Sequence, residues 1–402
     1  MSASNIPHIG ASRKTKLPRR DWILLPLLSV TTILVLAFSL RMVGERVFVS
    51  DDPLGNCMAR DPLTGTRGVP NTVCWKKAAE SPPVEYRFNS CGHRAGMECG
   101  PKAPDKYRIV MAGSSFAFGW TVKREETFAS LLPAELSQRT GHKIELYNAS
   151  IIGEGGTPRI IALRFNDLLA LHPDAILWIV TPWDIQKADP DPLSLVWQGL
   201  GATDILKRTL PGKSPHDAMV ALMGAIHDKW VVSHPGLLLQ HYLFQSQSEY
   251  VKLYLNRGLQ SGFLKAEPDS DWQYRLDKFN GYAADIEGQA KAAGVPVIAV
   301  LVPNRAQVAM ISMGKWPAGY DPYKLGEELR AIITSHDGTY IDILPNFRTI
   351  PNPEQYYYSI DDHPDARGHA IIADMLAREL TSGSVPALRA PNQSRAALEK
   401  GR

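Results

Sequence analysis

Three short clusters hold the side chains with reactive chemistry: Gly113-Ser114-Ser115-Phe116, Asn148-Ala149-Ser150-Ile151-Ile152-Gly153 and Asp361-Asp362-His363-Pro364. A serine hydroxyl is a poor nucleophile until a positioned imidazole takes its proton. The imidazole in turn needs an acceptor that fixes its tautomer. A serine of the first cluster, His363, and Asp361 or Asp362 supply those parts, and the chemistry they make together is acyl transfer through a serine ester. Each residue also has a plainer use. Serine is a favoured helix N-cap, and a histidine in a loop is most often a surface residue. His369, inside a helical pattern, reads as a packing residue.

All three clusters follow β-type runs. Candidate strands lie at 107–112, 144–148, 175–180, 295–302 and 339–343, and amphipathic helical patterns at 128–139, 159–171, 272–293, 323–334 and 368–380. Alternating strand and helix, with strands that are continuously apolar, predicts a three-layer α/β/α sandwich around a mainly parallel sheet. Ligands of such sheets sit beyond the C-terminal strand ends, where the three clusters fall. Residues 189–271 break the rhythm with an aromatic-rich helical insertion, read either as a lid or substrate-binding subdomain or as a structural cap. The domain is expected over 105–381, with a polar, disordered tail at 382–402.

The rest of the chain bears on compartment. No charged residue occurs from 22 to 40, a length that matches the ~30 Å hydrocarbon core of a bilayer. Arg13, Lys14, Lys16, Arg19 and Arg20 crowd its N-terminal side, so residues 1–21 are expected in the cytoplasm and everything after Leu40 outside it: a single-pass inner-membrane protein facing the periplasm. A cleaved signal peptide fits less well, since Ala37-Phe38-Ser39 is a poor small-x-small site. All four cysteines, Cys57, Cys74, Cys91 and Cys99, fall in the Gly- and Pro-rich stretch 51–104. An even set in an oxidising compartment predicts two disulfides stapling an N-terminal extension, with three connectivities open. No Cys-x-x-Cys pair is present, so zinc lacks its usual ligand spacing. The balanced charge, +3 overall, gives no basic stripe for nucleic acid.

The stretches RIVMAGSSFAFGWTVKREETFASLL, NASIIGEGGT and DDHPDARGHAIIADML, in that order, resemble the blocks of the SGNH (GDSL-like) hydrolases. The likeness runs over roughly residues 86–380, with the insertion unmatched. It implies a flavodoxin-like five-stranded sheet, Ser115 as nucleophile, His363 as base and Asp361, two residues before it, as the acid. It also implies an oxyanion hole built from the amides of Ser115 and Gly153 and a third donor. In two places the chain departs from the family pattern. Ser114 stands where the family has aspartate, and Trp183, in Thr181-Pro182-Trp183-Asp184, where it has asparagine. Trp183 is then either an apolar plug or a donor through its indole N–H.

The reading from sequence is a membrane-anchored serine esterase without metal or organic cofactor, acting on a small-molecule, glycan or lipid ester. An O-acyltransferase of cell-envelope polysaccharide and a catalytically silent carbohydrate-binding or scaffold module are the rivals.

Overall fold

Runs such as Ala-Ile-Leu-Trp-Ile-Val at 175–180 have no polar alternation, so both faces must be covered. The computed structural model describes residues 20–48, 55, 57–61, 65–187, 234–256 and 258–389. In the extension, β1 (Met58–Asp61) pairs with β2 (Gly65–Gly68) and β3 (Val73–Lys76) with β4 (Val84–Arg87), each pair antiparallel. The central sheet comprises β5 (Tyr107–Ala112), β6 (Ile144–Asn148), β7 (Ala175–Val180), β8 (Val297–Leu301) and β9 (Thr339–Ile341). Its order is β6-β5-β7-β8-β9 and every pairing is parallel. Counted from its own first strand this is 2-1-3-4-5, the flavodoxin-like arrangement. Every residue of β6, β7 and β8 is buried.

The helices Phe128–Thr140 and Ala366–Thr381 pack together on one face, while Ser270–Ala293 meets Pro158–Leu163 and Lys324–Ser335 on the other. Their starts are written locally. Thr127, Asp269 and Asp365 each accept a backbone N–H of the first turn, from Ser130, Trp272 and Gly368 respectively. Such a cap contributes about 1 kcal/mol.

Several boundaries move. The fourth strand starts at Val297, because Gly294 closes the preceding helix in the left-handed conformation and Pro296 has no N–H to give a ladder. The fifth ends at Ile341, since Ile343 already opens the 3-10 turn Leu344–Thr349. The helical pattern at 159–171 divides into Pro158–Leu163 and Phe165–Leu169 about Arg164, whose backbone (φ −102°, ψ 15°) leaves the helical region. Packing also runs past 381: Val385 and Leu388 are buried in the main core. Residues 390–402 of the expected tail lie outside the described residues, as do 189–233 and 257 of the insertion. The described remainder of the insertion includes the helices His234–Leu243 and Gln247–Leu255 and a 3-10 turn, Gly258–Leu264.

The helix Asp21–Val47 contains a stretch, Trp22–Gly44, long and apolar enough to cross a membrane, with 18 residues of it at a mean hydropathy of 2.4 and none of those buried. Arg13, Lys14, Lys16 and Arg19 lie outside the described residues. Of the three possible connectivities the cysteines adopt Cys57–Cys74 and Cys91–Cys99. The stapled extension shares a core with the sheet's loops. Cys57, Met58, Val84, Tyr86 and Phe88 cluster with Phe118, Trp120, Ile151 and Ile152.

Candidate active site

At the C-terminal end of β5 the chain turns sharply into the short helix Ser115–Phe118. Gly113 permits the turn because a Cβ there would press on Ile179 O and Ala117 Cβ, at 2.8 and 2.9 Å. Ser114 takes the N-cap position without a capping hydrogen bond, and Ser115 is the first helical residue. Its N–H has no partner within the helix, as for any first-turn amide. The second cluster braces this turn. Asn148 Nδ2 donates to Ala117 O at 2.8 Å, and Ile151 N–H donates to Gly113 O at 3.1 Å.

The third cluster lies in the loop between the 3-10 turn Pro353–Tyr356 and the helix Ala366–Thr381. There Tyr358 N–H donates to His363 O, at 2.9 Å. This loop brings His363 Nε2 to 2.7 Å from Ser115 Oγ, with His363 Nδ1 2.5 Å from Asp361 Oδ1. The side chains of His363 and Asp361 are only 17% and 15% exposed, so solvent screens their pairing weakly. Burial alone would lower the His363 pKa, but the charge and hydrogen bond of Asp361, with help from Asp362, outweigh it and hold the pKa above 6.5.

Gly153 opens the 3-10 turn Gly153–Gly156 with φ +65°, where a side chain would be strained. Gly153, Ser115 and Trp183 all line one cavity of about 730 Å³. Its wall includes Phe116, Trp120, Ile152, Phe263 and Ile360, with Asn304 and Lys187 among its polar groups. Trp183 is 37% exposed on this wall, so it is no plug of the protein core. Asp362 does not reach His363 by a hydrogen bond; its Oδ1 accepts from Tyr250 Oη at 3.0 Å. His369 is packed, fully buried, with Nδ1 accepting from Phe128 N–H. Ser114 is 1% exposed, behind the reacting face. Next to it Asp184 Oδ2 accepts from Thr181 N–H and Oγ1, both at 2.7 Å. Burial pushes the Asp184 carboxyl up to about 6, with Ser114 and Thr181 favouring its charged form.

Several supporting residues carried no sequence signal. Glu80, from the extension, accepts from the N–H groups of Ile360 and Asp361, at 2.6 and 3.4 Å, and pairs with His241 Nδ1 at 2.6 Å. Hydrogen bonds to a charged acceptor contribute about 1.5–3 kcal/mol, enough to hold the Asp361 backbone in place. Arg305 donates to Glu354 O, Ser359 O and Phe244 O, and its guanidinium lies 3.8 Å from the Tyr250 ring centroid. Extension, insertion and the helix Arg305–Met313 thus meet at the Asp361 loop. Arg94 ties the extension to the loop that follows Ser115–Phe118, donating to Gly119 O and Val122 O at 2.7 and 2.9 Å. Gly156 admits a close approach, since a Cβ there would overlap Gly113 O and Ser114 Cα.

No family model matches the chain, and no curated protein does. Among solved structures, the psychrotrophic esterase EstA from Pseudoalteromonas sp., inhibited by monoethylphosphonate, is 14% identical over 68% of this chain and 97% of that one, with a TM-score of 0.35. A putative lipolytic protein of the G-D-S-L family from Desulfitobacterium hafniense DCB-2 is 14% identical over 68% and 99%, TM-score 0.35. The lipase/acylhydrolase from Enterococcus faecalis is 12% identical over 68% and 95%, also at 0.35.

Proposed function

We propose that the protein is a serine esterase with Ser115 as nucleophile, His363 as general base and acid, and Asp361 orienting the imidazole. The observation that carries this reading is the continuous relay from Ser115 Oγ to His363 Nε2 (2.7 Å) and from His363 Nδ1 to Asp361 (2.5 Å), at the wall of an apolar cavity. Ser115 Oγ attacks the ester carbonyl while its proton passes to His363 Nε2. The tetrahedral oxyanion is received by the amides of Ser115 and Gly153. Its collapse breaks the C–O bond, and His363 returns the proton to the departing alcohol. Water, deprotonated by the same nitrogen, then attacks the acyl-enzyme and releases the acid. A fluorophosphonate should label the wild type at Ser115 in stoichiometric yield; a protein inert to the probe and to a panel of acyl esters would remove the reading.

The cavity, about 730 Å³, is in the range that encloses a whole drug-sized ligand. It has room for an acceptor beside a short acyl group, which favours acyl transfer to a glycan hydroxyl as the second reading. Partition of the acyl group between water and added sugars separates the two.

Trp183 then forms part of the cavity wall, beside a hole that works with two amides. Trp183→Phe is expected to change turnover only a few-fold. A loss of about 100-fold at unchanged KM would instead assign the indole N–H to the oxyanion, because that is the usual cost of one such donor.

The N-terminal helix is proposed as an inner-membrane anchor with the esterase domain in the periplasm. The basic flank before Trp22 and the two disulfides support it. Protein taken unreduced from cells should show no alkylatable thiol; two or more would place the domain in a reducing compartment.

A further inference from the structure

The helix His234–Leu243 has two unlike sides. Its inner side is held: Phe244, just past its end, is 3% exposed and packs edge-on against Tyr250 at 5.2 Å, and His241 Nδ1 pairs with Glu80 at 2.6 Å. Its other side presents Leu239, Tyr242 and Leu243, at positions i, i+3 and i+4 and therefore in one stripe. They are 46%, 67% and 42% exposed. The helix contains no Asp, Glu, Lys or Arg. At 10 residues it is about 15 Å long, half of what a bilayer core requires.

What lies beside it identifies the occupant of that stripe. The helix packs against the N-terminal span, and the Phe48 ring at the end of that span lies 6.1 Å from the His241 ring. Val47 O, in the last helical residue, accepts Glu80 N–H at 2.8 Å. The exposed stripe thus belongs to a helix packed against the candidate membrane span. A short helix free of Asp, Glu, Lys and Arg, with Leu239, Tyr242 and Leu243 exposed in one stripe, suits the headgroup boundary, where amphipathic rings concentrate. The cavity adjoins the same corner: Ile360 lines it and donates its N–H to Glu80.

We infer that His234–Leu243 lies in the bilayer surface beside the span and seats the catalytic domain there, so that the cavity takes esters presented at the membrane. The inference rests on the esterase reading and on Asp21–Val47 spanning the membrane. It extends both by naming a lipid surface as the docking partner.

Depth measurement on the full chain tests it. In nanodiscs of phosphatidylcholine and phosphatidylglycerol, nitroxides are attached singly at Tyr242→Cys, Leu34→Cys and Lys291→Cys; the native cysteines are paired and do not react. The label at 242 should favour oxygen over a water-soluble nickel chelate by about 10-fold relative to the label at 291, and the label at 34 should favour it further. A label at 242 as water-exposed as that at 291, with 34 in the core, overturns the docking and leaves the span intact. Water exposure at 34 overturns the span and the docking together. In a second assay, the double change Leu239→Asp and Tyr242→Asp should slow hydrolysis of a vesicle-embedded ester about 10-fold and leave a soluble aryl ester unaffected. Equal rates on both substrates would overturn the proposal; absence of soluble-ester hydrolysis in the wild type would instead strike the esterase reading.

Discussion

Ser115→Ala and His363→Ala are each expected to abolish hydrolysis of a short-chain aryl ester, a loss on the order of 10⁶-fold in kcat, and the double change is expected to be little worse than either. The members of a relay act as one unit: an alcohol without its base, or a base without its alcohol, leaves only binding and the oxyanion amides. Ser114→Ala is expected to keep a measurable rate. Ser114 is buried behind the reacting face beside Asp184, whereas Ser115 Oγ meets His363 Nε2 at 2.7 Å. Steady-state kinetics on purified variants decides the matter; an equal loss at Ser114 would mean that the nucleophile is misassigned.

Asp361→Asn is expected to lower kcat about 10⁴-fold, because the amide turns a donor toward Nδ1 and selects the wrong tautomer. Asp362→Asn should stay within about 10-fold, since that side chain meets Tyr250 and its backbone (φ +69°) lies in a region asparagine tolerates. The pH profile adds an independent reading. His363 must be neutral to accept the Ser115 proton, so kcat/KM should rise with pH through a pKa above 6.5. Asp361 is the stronger of the two influences that raise it, so its loss should move that acid limb to lower pH. A limb that stays in place in Asp361→Asn, or moves upward, would contradict the assignment.

The sheet was legible because burial on both faces leaves a plain trace, runs like those of β7 and β8 without polar alternation. Strand ends were less so, for Val295 and Ile343 are as apolar as their neighbours and only a helix cap or a 3-10 turn takes them out of the ladder. Ser115, His363 and Asp361 were readable because each directly follows a strand or precedes a strongly patterned helix. Glu80, Tyr250 and Arg305 were not. Each is a lone residue whose partners lie far along the chain: Glu80 sits 280 residues from Ile360, and Tyr250 sits 112 from Asp362. No periodicity encodes such a meeting. Cysteine pairing was open for the same reason, since counting gives the number of bridges and only the fold gives their ends.

Ser115 and His363 are 248 positions apart, and between them lie four of the five strands of the sheet. His363 lies in nearly the last folded segment of the sequence, beyond the edge strand β9. Without the segment that carries His363, the Ser115 hydroxyl would be an ordinary alcohol. On the proposed esterase reading, a chain would therefore have to be carried through to the Asp361 loop before its serine could react.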